Sequence, residues 1–121
     1  MNSMNKHGRF EDLIVWQKAQ DLGVIIYSTS GSGQFARDFG IKNQIRRASL
    51  SVSSNIAEGQ GRYSNKEFKN YLSIANGSLY EVISLIHFSE KLNLVTRVEA
   101  LTIILKCSEI SKMIKGLRNS L

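Results

Sequence analysis

Residues 44–61 read QIRRASLSVSSNIAEGQG, and this stretch decides the fold. With Ile41 just before it, its apolar side chains recur at intervals of four, three, four and four: Ile41, Ile45, Ala48, Val52 and Ile56. That spacing is the stripe of an α-helix and does not fit the alternation of a β-strand. Serine and alanine keep the flanks of the stripe thin. The stretch therefore predicts a helix that neighbouring helices approach closely on more than one side.

Length and composition favour one helical domain. The chain has 121 residues, enough for a single domain with a small core. Its hydrophobic fraction of 42% is too high for intrinsic disorder. It has no proline, so nothing in the sequence interrupts long helices. We predict an all-α domain over residues 10–121, preceded by a flexible N-terminal segment over residues 1–9.

Three further helices are indicated around the central one. The first runs from 10 to 27 and is followed by a Gly- and Ser-rich loop over 28–33. Asp38 is the predicted N-cap of the second helix, which ends at the glycines of 59–61. The third helix, to about Leu92, and the fourth, to the C-terminus, begin with the capping boxes Ser64 with Glu67 and Thr96 with Glu99.

These elements predict an antiparallel up-down-up-down four-helix bundle, because short loops join helices of roughly 20 to 28 residues. Gly77 lies inside the third helix, where glycine costs about 1 kcal/mol relative to alanine. We therefore predict that another backbone passes close to Gly77. The first, third and fourth helices carry a second apolar face each, which favours self-association.

Four segments carry a family resemblance: FEDLIVWQKA (10–19), QIRRASLSVSSNIAEG (44–59), the step over 63–68 and ANGSLYE (75–81). Together they resemble the four-helix-bundle proteins encoded in intervening sequences of bacterial 23S ribosomal RNA genes. The resemblance implies a left-handed bundle assembled as a ring-shaped homopentamer with a basic surface suspected of binding RNA or DNA. The related accessory variability proteins of diversity-generating retroelements partner a reverse transcriptase. The family has no established catalytic residues to carry over.

Many relatives have a proline shortly before NIAEG, where this chain has Ser53 and Ser54, so the kink that proline would enforce need not form.

The charge balance permits binding to an acidic partner. Sixteen Lys and Arg against ten Asp and Glu give a formal net charge of +6, which suits nucleic acid or an acidic protein without selecting between them. The candidates for phosphate contact, predicted to form one basic rim, are Lys42, Arg46, Arg47, Arg62, Lys66 and Lys69. The alternative is a solvated face, or ion pairing within the chain or to another subunit.

A second basic cluster on the fourth helix, Lys106, Lys112, Lys115 and Arg118, is predicted mainly to stabilise the end of that helix. Among the basic residues near a loop, only Tyr63 offers a ring for base stacking, which is weak support for single-strand recognition.

Polar residues beside the apolar stripe predict a structural network. Asn55 and Glu58 share one helix face, and Glu81 on the third helix is predicted to face them. A metal site is the less favoured alternative, because the Glu-x-x-His pairs of di-iron bundles do not occur. The single cysteine, Cys107, lies on an apolar stripe and is predicted to be buried and inert. We predict no metal and no other cofactor.

These patterns predict a non-enzymatic homo-oligomer that binds RNA or DNA. The alternative is a protein–protein adaptor, for example for a reverse transcriptase, and a metalloenzyme is a distant third. The sequence has no signal peptide and no apolar run long enough to cross a bilayer, so a cytoplasmic protein with no membrane partner is expected.

Overall fold

In a computed structural model that describes residues 8–121, every regular element is a helix. A 3₁₀ turn over Phe10–Asp12 precedes five α-helices: α1 (Ile14–Ser30), α2 (Gly33–Arg37), α3 (Phe39–Gln60), α4 (Asn65–Lys91) and α5 (Arg97–Asn119). The all-α prediction is confirmed for this part of the chain. Most of the predicted flexible segment, residues 1–7, lies outside the described residues.

The predicted caps begin the long helices. The Asp38 carboxylate accepts a hydrogen bond from the backbone N–H of Ile41, at 3.2 Å. Thr96 and Glu99 form the full reciprocal box at the start of α5. At the start of α4 the Ser64 hydroxyl accepts from the Glu67 N–H, but the Glu67 carboxylate accepts from that same hydroxyl rather than from the Ser64 backbone. Local side-chain chemistry therefore sets three of the helix starts.

The region before α3 differs from the prediction. The first predicted helix is broken at Leu13, whose extended backbone separates the 3₁₀ turn from α1. The predicted loop over 28–33 is partly helical, since α1 continues to Ser30 and the short helix α2 follows. The reason lies in Phe35, which α2 inserts into the core with only 1% of its surface exposed. Burying a phenylalanine contributes about 2–3 kcal/mol, enough to favour one extra helical turn.

The long helices pack in a closed order. α3 contacts both α1 and α4, and α5 contacts both α4 and α1. Hydrogen bonds from Ser78 to Ser51 and from Gln44 to Glu81 show that α4 runs antiparallel to α3. The predicted stripe of α4 is confirmed as core, since all six of its members are buried: Phe68, Leu72, Ala75, Leu79, Val82 and Ile86. The stripes of α3 and α5 meet it in one cluster.

The glycine that permits a close helix approach is Gly59, and the prediction for Gly77 is wrong. A Cβ on Gly77 would meet nothing within 4 Å, because this residue faces outward. A Cβ on Gly59 would lie 2.6 Å from Cβ of Tyr71 and 3.0 Å from Cδ1 of Phe68. Gly59 is thus an interior residue of α3 at its contact with α4. The helix itself ends one residue later, at Gln60.

α3 continues without a break through Ser53 and Ser54. Their hydroxyls donate to backbone carbonyls one turn back, on Leu50 and Ser51. The Gln20 side chain of α1 also donates to the Ser53 hydroxyl, at 3.0 Å. In place of a proline kink, this position therefore provides a polar contact between α1 and α3.

Candidate nucleic-acid interface

The six candidate phosphate-binding residues do not come together in one place. Lys42 lies in the first turn of α3, and Arg62 follows its last turn. Twenty residues of α-helix span about 30 Å. The candidates therefore form two separate groups, one at the start of α3 and one at the start of α4: Lys42, Arg46 and Arg47 in the first, and Arg62, Lys66 and Lys69 in the second.

Arg46 is engaged inside the molecule. Its Nε–H donates to the Ser30 hydroxyl at 2.8 Å, and its Nη2 donates to the Tyr27 carbonyl at 3.0 Å. The guanidinium also lies over the Tyr27 ring, 4.3 Å from the ring centre. Tyr27 is in the last turn of α1, where carbonyls lack partners within the helix and a cation complements the helix dipole. Arg46 therefore ties α3 to the C-terminal end of α1.

Lys42 and Arg62 each lie over an aromatic ring. The Lys42 ammonium is 4.8 Å from the centre of the Phe39 ring. The Arg62 guanidinium is 4.9 Å from the centre of the Tyr71 ring and donates to the Tyr71 hydroxyl. Cation–π contacts at exposed positions contribute about 0.5–1 kcal/mol and leave the charge at the surface. Both residues are thus oriented, with their charge still available to a partner.

Arg47 lies between two open grooves. One groove, of about 510 Å³, runs between α3 and α4 and contains Gln44 and Glu81, whose side chains are hydrogen-bonded at 3.2 Å. The other, of about 540 Å³, is more apolar and includes Trp16 and Leu50. Arg47 forms no ion pair within residues 8–121.

The predicted polar network of Asn55, Glu58 and Glu81 is not assembled. Asn55 donates to the carbonyl and the hydroxyl of Ser51, and Ser78 of α4 donates to the same hydroxyl. Glu81 accepts from Gln44, which lies 14 residues, or about 21 Å, from Glu58 along α3. Glu58 is exposed and has no ion pair with any described residue. The network that α3 and α4 share is built from an amide and two hydroxyls.

The titratable groups near the core show no cluster suited to a metal ion. Within residues 8–121, no three His, Cys, Asp or Glu side chains come together. Cys107 is buried, and this burial raises the pKa of its thiol to about 12. The thiol is therefore protonated and unreactive at neutral pH.

A further basic group, on α5, meets the start of α4. The Arg118 Nε–H donates to the Ser73 hydroxyl at 2.9 Å and to the Lys69 carbonyl at 3.4 Å. Lys115 donates to the Tyr80 hydroxyl at 3.3 Å, and this hydrogen bond lowers the pKa of Tyr80. The sequence predicted that these cations mainly stabilise the end of the fourth helix. Lys115 and Arg118 lie three residues apart on α5, which places both on one face of that helix. This spacing is the sequence signal that could have predicted their shared face.

Comparison with known proteins identifies the family. A sequence profile of the 23S rRNA-intervening sequence protein family matches residues 11–116. The chain belongs to this family. A solved structure from Bacteroides thetaiotaomicron, described as a protein of unknown function from the S23 ribosomal protein family, is similar to this intervening-sequence protein with a TM-score of 0.80. The two chains are 25% identical, and the similarity covers 87% of this chain and 98% of the other. No protein of curated function matches the chain.

Family membership confirms the resemblance that the NIAEG and ANGSLYE segments predicted. The profile includes α1, α3 and α4 in full, and most of α5. Both groups of basic candidates therefore lie inside the matched region, whereas Arg118 lies two residues beyond its end. Among the described residues of this intervening-sequence protein, no helix is long and apolar enough to span a membrane.

Proposed function

We propose that this intervening-sequence protein is a non-enzymatic, cytoplasmic homo-oligomer that binds RNA or DNA through phosphate contacts. The observation that carries the proposal is the number of cations without an acidic partner. Of the 16 Lys and Arg in the sequence, 15 lie in residues 8–121, since Lys6 precedes them. Three of these 15 form ion pairs: Arg9, Lys18 and Arg97. Apart from Arg46, which is held by Ser30 and Tyr27, the remaining cations are available to neutralise phosphates and release their counterions.

The assembly we propose is the left-handed up-down four-helix bundle, one domain over residues 10–121, in a ring-shaped homopentamer. The closed packing order of the four long helices supports the bundle. Large apolar side chains on the outside support self-association, because a soluble monomer rarely exposes a large contiguous apolar patch. The side chain of Val24 on α1 is 69% exposed, and that of Leu105 on α5 is also 69% exposed.

Filter binding of structured RNA and of duplex DNA at about 50 and 200 mM salt tests the proposal. We expect binding at the lower salt and a loss of about a hundredfold or more at the higher salt, since four phosphate contacts suffice for that slope. No measurable binding of either nucleic acid at either salt would contradict the proposal.

A protein–protein adaptor, for example for a reverse transcriptase, is the second candidate. Val98, Leu101 and Leu105 form an exposed apolar stripe along α5, at the three- and four-residue spacing of one helix face. Such a stripe suits the helix-in-groove mode of partner binding. Two results together would favour this alternative. The wild-type protein would bind no nucleic acid, and it would capture a purified reverse transcriptase. The double variant Leu101→Glu with Leu105→Glu would lose that capture.

A further inference from the structure

Two polar stripes lie side by side on the outer surface of α4 and α5. Five polar residues of α4 recur at three- and four-residue spacing, which places them on one helix face: Lys66, Lys69, Ser73, Asn76 and Tyr80. Four hydrogen bonds join them to α5: Ser111 to Asn76 at 2.7 Å, Arg118 to Ser73 at 2.9 Å, Lys115 to Tyr80 at 3.3 Å, and Arg118 to the Lys69 carbonyl at 3.4 Å. The two stripes therefore form one surface that includes five cations. We call it the α4–α5 basic face, defined by Lys66, Lys69, Lys112, Lys115 and Arg118.

The acids of α4 and α5 are directed away from this face or lie at its end. Glu81 accepts from Gln44 of α3, and Glu109 pairs with Lys18 of α1 at 3.3 Å. Glu67 accepts a hydrogen bond from the Ser64 hydroxyl at the N-terminus of α4. None of the five cations forms an ion pair with any residue of 8–121.

The cations of the face are oriented by neutral partners. Arg118 uses its Nε–H for Ser73 and the Lys69 carbonyl, and its two terminal nitrogens donate to no described residue. The Lys115 ammonium lies 5.8 Å from the centre of the Tyr80 ring, and Lys112 lines the same pocket of about 160 Å³ together with Ser108 and Ser111. A preoriented guanidinium loses less conformational entropy when it binds an oxygen anion.

We infer that the α4–α5 basic face binds consecutive phosphates along one strand of a nucleic-acid duplex, without sequence preference. This inference rests on the proposed function, and it names the α4–α5 basic face as the surface that binds the nucleic acid. The stripe from Lys66 to Tyr80 spans 14 residues, or about 21 Å, which equals the rise of about six base-pair steps along a duplex axis at 3.4 Å per step. Lysines act as point charges toward phosphates, and contacts to phosphates carry no sequence information directly.

A duplex fits the face better than a single strand. Single-strand binders offer several exposed rings on which successive bases stack. Here the Tyr80 ring is 51% exposed, with the Lys115 ammonium 5.8 Å from its centre, and Tyr63 provides a second exposed ring. The two rings lie at opposite ends of the stripe, so they cannot stack successive bases. The start of α3 is the weaker alternative site, because the Arg46 guanidinium is already held by Ser30 and Tyr27.

The test compares two triple variants of equal charge. The face variant carries Lys69→Gln, Lys112→Gln and Lys115→Gln. The control variant carries Lys42→Gln, Arg47→Gln and Lys91→Gln, which are exposed or half-buried cations outside the face. Circular dichroism melts and native mass establish that both variants fold and assemble like the wild type. Affinity for a short synthetic duplex is then measured over a series of salt concentrations.

We expect the slope of log K against log salt to fall by about 3 in the face variant, one for each lysine, and by less than about 1 in the control. Equal losses in the two variants, or a larger loss in the control, would overturn the assignment to this face. Wild-type binding to single strands but not to duplex would overturn it while the proposed function stands. Competition by polyglutamate as effective as that by duplex would assign the face to an acidic protein instead. No wild-type binding to any nucleic acid would remove the proposed function itself.

Discussion

Gly59 and Gly77 are both helical glycines, and the structure gives them opposite roles. At Gly59 the helices α3 and α4 come so close that an added methyl group would overlap Tyr71 and Phe68. The nearest atom is a Cβ at 2.6 Å, which cannot move without its backbone. At Gly77 an added methyl group would meet nothing and would reduce the entropy of the unfolded chain.

We expect Gly59→Ala to lower the free energy of unfolding by about 1–3 kcal/mol, as overpacking does. Gly77→Ala is the matched control and is expected to raise it by about 0.5–1 kcal/mol. Urea denaturation followed by circular dichroism measures both. A Gly59→Ala protein as stable as wild type would show that the two helices are not in this close contact.

Burial makes Cys107 a group whose titration weakens the fold at high pH. The pKa of its thiol is raised from 9.0 to about 12, so the unfolded chain loses this proton before the folded chain does. We expect the wild-type protein to lose stability, relative to Cys107→Ala, as the pH rises from about 9 to 12. Denaturation of both proteins across this range measures the difference. A stability difference that is constant with pH would contradict the buried thiol.

Some of these residue roles follow from sequence and some do not. Phe68, Leu72 and Leu79 were predicted as core because the helical period by itself assigns them to one face. Neither the helical period nor the helix propensity of glycine reveals how far away the next helix lies. For that reason a close contact was predicted at Gly77 from the cost of glycine in a helix, and Gly59 was interpreted as part of a helix end.

At the scale of elements, Arg46 joins two helices that are not connected by a tight turn. It bonds to the Ser30 hydroxyl and the Tyr27 carbonyl of α1, and Ser30 is only 1% exposed. Removal of the guanidinium would leave both acceptors without this donor at the end of α1.

We predict that Arg46→Ala lowers the free energy of unfolding by about 1–3 kcal/mol. Arg46→Lys should recover less than half of this loss, because an ammonium cannot bond both acceptors and stack on Tyr27 with the same geometry. Arg47→Ala, at the exposed neighbouring position, is the control and should change stability by less than about 0.5 kcal/mol. Thermal denaturation of the three variants checks the ordering. Equal effects of Arg46→Ala and Arg47→Ala would contradict the role of Arg46.

The helix starts were predictable because caps are local: Asp38, Ser64 and Thr96 act on backbone groups within three residues. The short helix α2 and the break at Leu13 were not. Phe35 makes α2 helical by reaching the core, and that gain depends on packing partners distant in the sequence. Tertiary burial thus overrides the turn chemistry of glycine and serine in this region.

At the scale of the whole molecule, the length of α3 decides which cations can act together. The sequence places Arg46 and Arg62 only 16 residues apart, yet a straight helix separates them by about 24 Å. Antiparallel packing instead brings Arg118, 49 residues away, into contact with Lys69. The basic character of the surface was predictable from composition. Which cations lie together on that surface was not, because their grouping depends on how α4 packs against α5.

The second apolar faces predicted for the first, third and fourth helices are also properties of the whole molecule. Val24, Ile74 and Leu105, on α1, α4 and α5, are each more than half exposed. If subunits associate through such residues, the basic faces of several chains are presented together. A multivalent ring would then bind a long duplex more tightly than one chain can.

The mass of the native particle by light scattering, with nucleic-acid content followed at two absorbance wavelengths, tests the assembly and the binding together. We expect a mass of about 68 kDa, five times the 13.6 kDa of one chain, for the protein freed of nucleic acid by high salt. At low salt we expect a larger particle that carries nucleic acid. A particle of 13.6 kDa that carries none at either salt would contradict both the assembly and the binding surface proposed for it.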